Sequence, residues 1–163
     1  MQNSFKDSMG REWTFNITIG VVKAVRKYDV DLLALSEGEP SLISKLSTDV
    51  VLLCDVMYMV LKEQLDAKGV SDEQFAASLG GNVILSAADA FFRELSDFFQ
   101  SLGRHEMVAI VKKNKELMDE GVKRVAARVE AINTQETLDK IDIKIDAEMR
   151  KKMDSIYGDT STN

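Results

Sequence analysis

Proline is almost absent from this chain, which has a single one, Pro40, among 163 residues. Because proline lacks a backbone donor and clashes with the preceding helical turn, its scarcity favours long helices. Aromatic residues make up only 7% of the chain, whereas hydrophobic residues as a whole make up 45%. Such a composition can build a buried core and is too apolar for a disordered chain. We therefore predict a folded, mainly α-helical protein.

Cysteine is equally scarce, and the only one, Cys54, excludes an internal disulfide bond. It lies in the apolar run 50–54, which predicts a small buried core residue in a protein of a reducing cytosol. The N-terminus lacks the basic and then apolar layout of a signal peptide. The longest apolar stretch, 50–61, is interrupted by Asp55 and is too short to span a bilayer. We expect a soluble cytoplasmic protein.

The chain also lacks an excess of positive charge, because its formal net charge is −6. This balance gives no general attraction to nucleic acid or to anionic membranes. Basic residues do gather between Lys112 and Arg128, but acidic residues interrupt them and no aromatic residue lies among them. That pattern is typical of a solvated helix face. We expect neither nucleic acid nor a membrane as a partner.

The residues that usually carry catalysis are missing or isolated. The single histidine, His105, cannot complete a zinc-protease helix motif or a di-iron bundle, and we expect it to be exposed to solvent. The glycines at 80–81 are not followed by Lys and Ser or Thr, so they indicate a turn rather than a phosphate loop. Asp139, Asp142 and Asp146 lack the layout of a calcium loop. We predict no catalytic residue, no cofactor and no metal, and therefore no enzyme.

What the chain does contain begins with a strand-like segment. Trp13, Phe15 and Ile17 alternate with polar residues, which is the pattern of a strand with one buried face. The polar turn 7–10 separates this segment from Phe5. We predict an N-terminal β-hairpin.

From Ile19 onward the sequence has helical periodicity, and its helix ends carry recognisable signals. Thr18 is the expected N-cap of the first helix, and Ser71 with Gln74 forms a capping box for a later one. Pro40 suits the first turn of a short helix. Between these lies a longer helix that we expect to run from about residue 49 to 68, with Gly69 as its terminating residue. Its apolar face comprises Val50, Leu53, Val56, Met57, Val60 and Leu61, and core packing explains its Met57–Met59 segment better than an adaptable binding surface does.

A helix from about 83 to 102 contains four phenylalanines on a wide apolar stripe, so we expect it at the centre of the core. A long helix follows from about Arg104, with Asn133 and Glu136 as a second capping box before another segment. In that last segment, the alternation at 141–145 allows a strand, but the longer helical pattern over 138–156 favours a helix. We expect the residues after 157 to form a flexible tail.

Apolar residues on the long helix recur every seven positions, with partners at the coiled-coil spacing and a defect near Asn114. We predict three parts: a hairpin and helical core domain at 1–103, a long amphipathic helical arm at 104–157 and a flexible tail at 158–163. The arm must present its apolar residues either to the core or to a partner. The candidate protein-binding residues are Val111, Met118, Val122, Val125, Val129 and Ile132.

The order of these elements provides a resemblance to a known family. The segments Phe5–Thr18, Val21–Arg26, Val30–Leu33 and Gly69–Phe75, with Phe98 and Phe99 downstream, resemble small proteins encoded among the tail-assembly genes of long-tailed phages and prophages. The group they resemble is the tail assembly chaperones. The resemblance covers roughly residues 5 to 102 and is carried by structural rather than catalytic residues.

This resemblance implies a non-enzymatic function and, if a phage encodes the protein, a location in the host cytoplasm. Such chaperones bind the long helical tape measure protein, keep it soluble until tail tube subunits replace them, and associate with themselves around it. The resemblance thus implies the tape measure protein, the tail tube protein and further copies of this chain as partners. An acidic helical protein with apolar stripes could bind amphipathic target helices in this way.

Two other functions remain open from the sequence. The first is a virion structural protein of the tail or of the head–tail connector, in which the same apolar residues would hold a permanent oligomer. The second is a small helical regulator or enzyme, for which the sequence shows no convergent polar groups. Presence in purified particles would distinguish the first from a chaperone.

Overall fold

The predicted order of a β-hairpin followed by helices is confirmed by the computed structural model, which describes residues 3–132 and 135–158. Two short strands, β1 and β2, precede eight helices within this part of the chain. In chain order the elements are β1 (Ser4–Lys6), β2 (Glu12–Thr14), α1 (Ile19–Arg26), α2 (Leu42–Thr48), α3 (Val50–Val60), α4 (Lys62–Ala67), α5 (Asp72–Ala77), α6 (Asn82–Ser101), α7 (His105–Ile132) and α8 (Gln135–Tyr157).

The hairpin is antiparallel and places Phe5 opposite Trp13. Trp13, Phe15 and Ile17 are all buried, as the alternation predicts, while Asn16 between them is exposed. Beyond the paired residues, the Phe15 amide donates a hydrogen bond of 2.9 Å to the Asn3 carbonyl. The hairpin therefore lays one continuous apolar face against the helices.

Helix α6 lies at the centre of the core, as expected. The ring of Phe15 meets Phe91 edge-on at 5.5 Å between centroids, and Phe5 stacks on Phe15 at 5.6 Å. A polar clasp adds to this packing, because the Glu94 carboxylate accepts a hydrogen bond of 2.6 Å from the Ile17 amide. The Asn3 amide group donates to Glu94 at 2.7 Å and to Asp97 at 2.9 Å. The hairpin is thus fixed to one face of α6.

Most of the predicted helix ends are confirmed. The Thr18 hydroxyl accepts a hydrogen bond from the Val21 amide, and Ser71 and Gln74 form the full capping box. Gly69 follows α4 with φ of +64°, a conformation in which a Cβ would be strained. The prediction for Pro40 is wrong, since α2 begins two residues later and Ser41 is its N-cap.

The single helix expected over 49–68 is instead two helices, α3 and α4. Asp49 caps α3 by accepting hydrogen bonds from the amides of Val51 and Leu52. Leu61, with φ of −89° and ψ of 4°, separates the two helices, and its side chain is buried. Beyond this bend Gln64 bonds to both backbone groups of Thr14, at 3.2 and 2.6 Å. Gln64 therefore joins α4 to the free edge of β2.

The last segment is a helix, α8, which confirms the helix predicted from the longer pattern over 138–156 rather than the strand. The proposed capping box at Asn133 lies outside the described residues, as do residues 159–163 of the predicted tail.

The chain divides into two compact units, Met1–Met118 and Asp119–Asn163. This boundary lies later than the predicted one at residues 103 and 104. The reason is that Met107, Val108 and Val111, in the first two turns of α7, are buried in the core. Gly103, with φ of +68°, lets the chain turn from α6 into α7 without ending the core unit.

Candidate protein-binding surfaces

The six residues predicted to bind a partner lie in different environments. Val111 is only 1% exposed and belongs to the core, and Met118 is partly buried against it. The other four are exposed to solvent, with exposed fractions of 46% for Val122, 61% for Val125, 52% for Val129 and 60% for Ile132. Val111 is therefore corrected to a core residue, because its helical turn packs inside the core unit.

The boundary between the buried and the exposed part of α7 lies close to the break in its apolar repeat at Asn114. The Asn114 amide group donates to the Ser47 hydroxyl and to the Ile43 carbonyl, the latter at 3.5 Å. Lys115, which occupies the position seven residues before Val122, forms an ion pair of 2.7 Å with Asp89 of α6. These polar residues attach the first part of α7 to α2 and α6.

Beyond Met118, α7 carries a bare apolar surface. Val122, Val125, Val129 and Ile132 follow one another at intervals of three or four residues, so they lie on one helix face. We call these four residues the arm stripe. At a rise of about 1.5 Å per residue, the arm stripe is about 15 Å long.

Helix α8 carries a second bare surface, which the sequence analysis identified as helical but did not single out as a site. Its apolar residues again follow intervals of three or four, and each is at least 46% exposed. We call this set the α8 stripe: Leu138, Ile141, Ile145, Met149, Met153 and Ile156. Of the described side chains between 119 and 132 and between 138 and 158, every one is exposed. Charged residues flank the apolar ones, and their signs nearly balance, with nine acidic and eight basic residues in 119–157.

A third apolar surface lies on α3 of the core unit. Val50, predicted to be buried, is 56% exposed, because it starts the helix directly after its cap, and Val51 is 66% exposed. Cys54, predicted to be a buried core residue, is only half-buried. Met57 is fully buried as expected, whereas Met59 is only partly buried.

Two grooves flank α3 and share Asp55 and Asp72 in their walls. The larger, of about 540 Å³, lies toward α1 and contains both Lys27 and Lys62 beside those acidic residues. The smaller, of about 370 Å³, we call the acidic groove, because every charged residue in its wall is acidic. Its lining is Val50, Val51, Cys54, Asp55, Asp72, Glu73, Ala76, Leu79 and Ile84.

The acidic groove influences the one thiol of the chain. Burial, and then the negative charges of Asp55 and Asp72, raise the pKa of Cys54 to about 11. The thiol is therefore protonated at neutral pH and is a poor nucleophile.

This surface was not predicted from the sequence, although a signal was present. Residues 50–60 contain a single charged side chain, Asp55, and are apolar all round. A helix of this kind is normally buried on every side. Since only part of α3 is buried, its remaining apolar surface faces solvent.

His105 is exposed, as expected. Within the residues that the structure describes, no group of three His, Cys, Asp or Glu side chains could hold a metal ion. In the same residues, no helix has both the length and the apolar character needed to cross a membrane.

Comparison with protein-family models, with curated proteins and with solved structures found no match to this chain.

Proposed function

We propose that this protein is a tail assembly chaperone of a long-tailed phage that binds the tape measure protein through its arm. The observation that carries the proposal is the bare apolar surface of 119–157, where large apolar side chains recur at helical spacing and none of the described ones is buried. Such a surface fits an amphipathic helix, because helix recognition uses apolar anchors at intervals of three and four residues. The resemblance of residues 5–102 to tail assembly chaperones supports the same function.

The free energy of burial indicates how much of the arm the tape measure protein would need to cover. Burying one valine or isoleucine side chain contributes about 1.5 kcal/mol at the low end, so the four residues of the arm stripe contribute about 6 kcal/mol. Association itself costs about 4 kcal/mol or more, which leaves little affinity. The six residues of the α8 stripe more than double the apolar contribution. We therefore propose that a stable complex uses both stripes.

The charges of the chain suit a chaperone that exposes apolar surface. A net charge of −6 limits non-specific aggregation of a protein that exposes apolar stripes. In this proposal the protein acts without a cofactor or a metal, and its chemistry is limited to reversible binding.

The test is co-expression with the tape measure protein encoded in the same gene cluster. The wild-type chain is expected to keep that protein in the soluble fraction and to be recovered with it. The double variant Val125→Asp/Val129→Asp places two charges on the arm stripe and is expected to abolish this effect.

A matched control is Ala127→Asp/Ala131→Asp, which has the same spacing but lies on the opposite face of α7. The proposal fails if the wild-type chain does not change the solubility of the tape measure protein, or if the control is as damaging as the stripe variant. The remaining alternative, a structural protein of the tail or connector, predicts that the chain is present in purified particles. A chaperone is expected to be absent from them.

A further inference from the structure

The acidic groove of the core unit is an apolar surface with a single sign of charge around it. Val51 is 66% exposed at one end, and the half-buried Cys54 forms part of the floor. Asp55, Asp72 and Glu73 are all exposed at the rim, and no basic residue lines this groove. The neighbouring larger groove contains Lys27 and Lys62, so of these two grooves it is the acidic groove that selects for a positively charged apolar partner.

The end of α8 has the complementary character. Met149, Met153 and Ile156 follow intervals of four and three, and they are 64%, 62% and 67% exposed. At 100° per residue, Arg150 and Lys152 lie on the two flanks of this apolar face, whereas Lys151 lies on the opposite side.

We propose that the last two turns of α8 from a second copy of this chain dock into the acidic groove. Met149, Met153 and Ile156 would fill the apolar floor, and Arg150 and Lys152 would face the carboxylates of the rim. A helix with apolar anchors over two turns is the usual ligand of such a groove. Both surfaces are uncovered in the described single chain, and docking would cover each with the other.

This contact joins two different surfaces, so a pair of copies keeps a free groove on one copy and a free arm end on the other. A heterologous contact of this kind propagates into a ring or an open filament, unless two copies exchange arms reciprocally and close a two-fold dimer. This self-association is independent of the proposed function, because it uses only contacts between identical chains. The arm stripe and the first half of the α8 stripe, Leu138, Ile141 and Ile145, remain free for another partner, whereas the last two turns of α8 bind either that partner or a second copy.

The first test reverses the charges on each surface in the full chain and measures self-association by sedimentation velocity. The groove variant is Asp55→Lys/Asp72→Lys, and the arm variant is Arg150→Glu/Lys152→Glu. The wild type is expected to form concentration-dependent oligomers, and each variant is expected to weaken self-association by at least about tenfold. A chain that combines all four reversals has complementary charges again and is expected to recover oligomers.

Two controls carry the same change of charge elsewhere. Glu37→Lys/Glu39→Lys alters an exposed loop that does not line the groove, and Lys144→Glu/Lys151→Glu alters the polar side of α8. Both controls are expected to associate like the wild type. Recovery in the fourfold variant shows that the groove substitutions leave the chain folded.

Mixing the two variants tests whether the groove of one copy meets the arm of another. In the mixture a native arm can dock into a native groove and a reversed arm into a reversed groove, so oligomers that neither variant forms alone are expected to appear. A monomeric wild type, an unrecovered fourfold variant or a mixture without oligomers would overturn the proposal. The first of these outcomes is also the one expected if α8 docks on its own chain.

A disulfide provides a second, independent readout. Cys54 is the only cysteine of the chain and lines the groove, so Met153→Cys adds one partner thiol on the docking face of α8. Under an added thiol oxidant this variant is expected to form covalent dimers and higher oligomers, which disappear when Cys54 is replaced by alanine. Ile143→Cys, on another face of α8, is the control. Equal cross-linking of the two variants would contradict the proposal.

Discussion

The indole Nε1–H of Trp13 donates a hydrogen bond of 2.9 Å to Oδ2 of Asp7, and both side chains are buried. The same carboxylate accepts hydrogen bonds from the amides of Met9 and Arg11, at 2.9 Å each, and from the Arg11 guanidinium at 2.7 Å. One carboxylate thus fixes the turn of the hairpin and the orientation of its largest aromatic side chain. The hairpin is therefore a structural element that depends on a buried charge.

Replacing Asp7 by alanine is expected to lower the free energy of unfolding by about 3 kcal/mol or more, because four donors lose their acceptor. Urea unfolding monitored by Trp13 fluorescence measures this change. Asp7→Asn is also expected to destabilise the protein, because its NH2 group would replace one carboxylate oxygen and would then face the donors that bond to that oxygen. An alanine variant as stable as the wild type would show that the turn does not need the carboxylate.

Stability is expected to fall at acidic pH through the same residue. Burial raises the pKa of the Asp7 carboxyl, but hydrogen bonds from Trp13, Arg11 and Met9 outweigh burial and hold this pKa below its ordinary value. Because the folded-state pKa is lowered, the contribution is complete above the unfolded-state pKa of about 3.9 and is lost as the pH falls through the folded value. Urea unfolding of the wild type and of Asp7→Asn between neutral pH and acid should give a smaller slope for the variant below about pH 4.

The same substitution is expected to destabilise the buried part of α7 strongly and to leave the exposed part almost unchanged. Val111→Asp buries an unpaired carboxylate in the core and is expected to cost about 4 kcal/mol of stability. Val125→Asp changes an exposed position and is expected to stay within about 0.5 kcal/mol of the wild type. Denaturant unfolding measures both. Equal and large losses would mean that the arm stripe is part of a core.

The polar clasp between the hairpin and α6 is expected to depend more on Glu94 than on Asp97. Glu94→Ala removes the acceptor for both the Ile17 amide and the Asn3 side chain and is expected to cost about 2 kcal/mol. Asp97→Ala removes one acceptor at an exposed position and is expected to cost about 0.5 kcal/mol. Thermal unfolding of the two variants compares them. A larger loss for Asp97→Ala would contradict this ranking.

Local chemistry made several features of the fold predictable. The alternation around Trp13 identified the hairpin, and the side chains of Thr18 and Ser71 identified two helix starts, because a cap is formed by residues adjacent in sequence. The bend at Leu61 was not predictable from its neighbours. It is accompanied by contacts between Gln64 and Thr14, which lie 50 residues apart.

The exposed apolar surfaces also separate what neighbouring residues predict from what distant contacts decide. Periodicity correctly placed Val111 and Val125 on one apolar repeat, but periodicity is identical for a buried and an exposed stripe. Only the packing of the first turns of α7 against the core separates them. The partly uncovered face of α3 was missed for the same reason.

The sequence by itself determined the class of the fold, the hairpin and most helix ends, because these depend on residues within a few positions of one another. The tertiary structure alone decided which apolar residues are covered, because burial depends on which distant segments meet. Burial matters most for this protein, since the arm stripe, the α8 stripe and the acidic groove are the surfaces through which we propose that it acts.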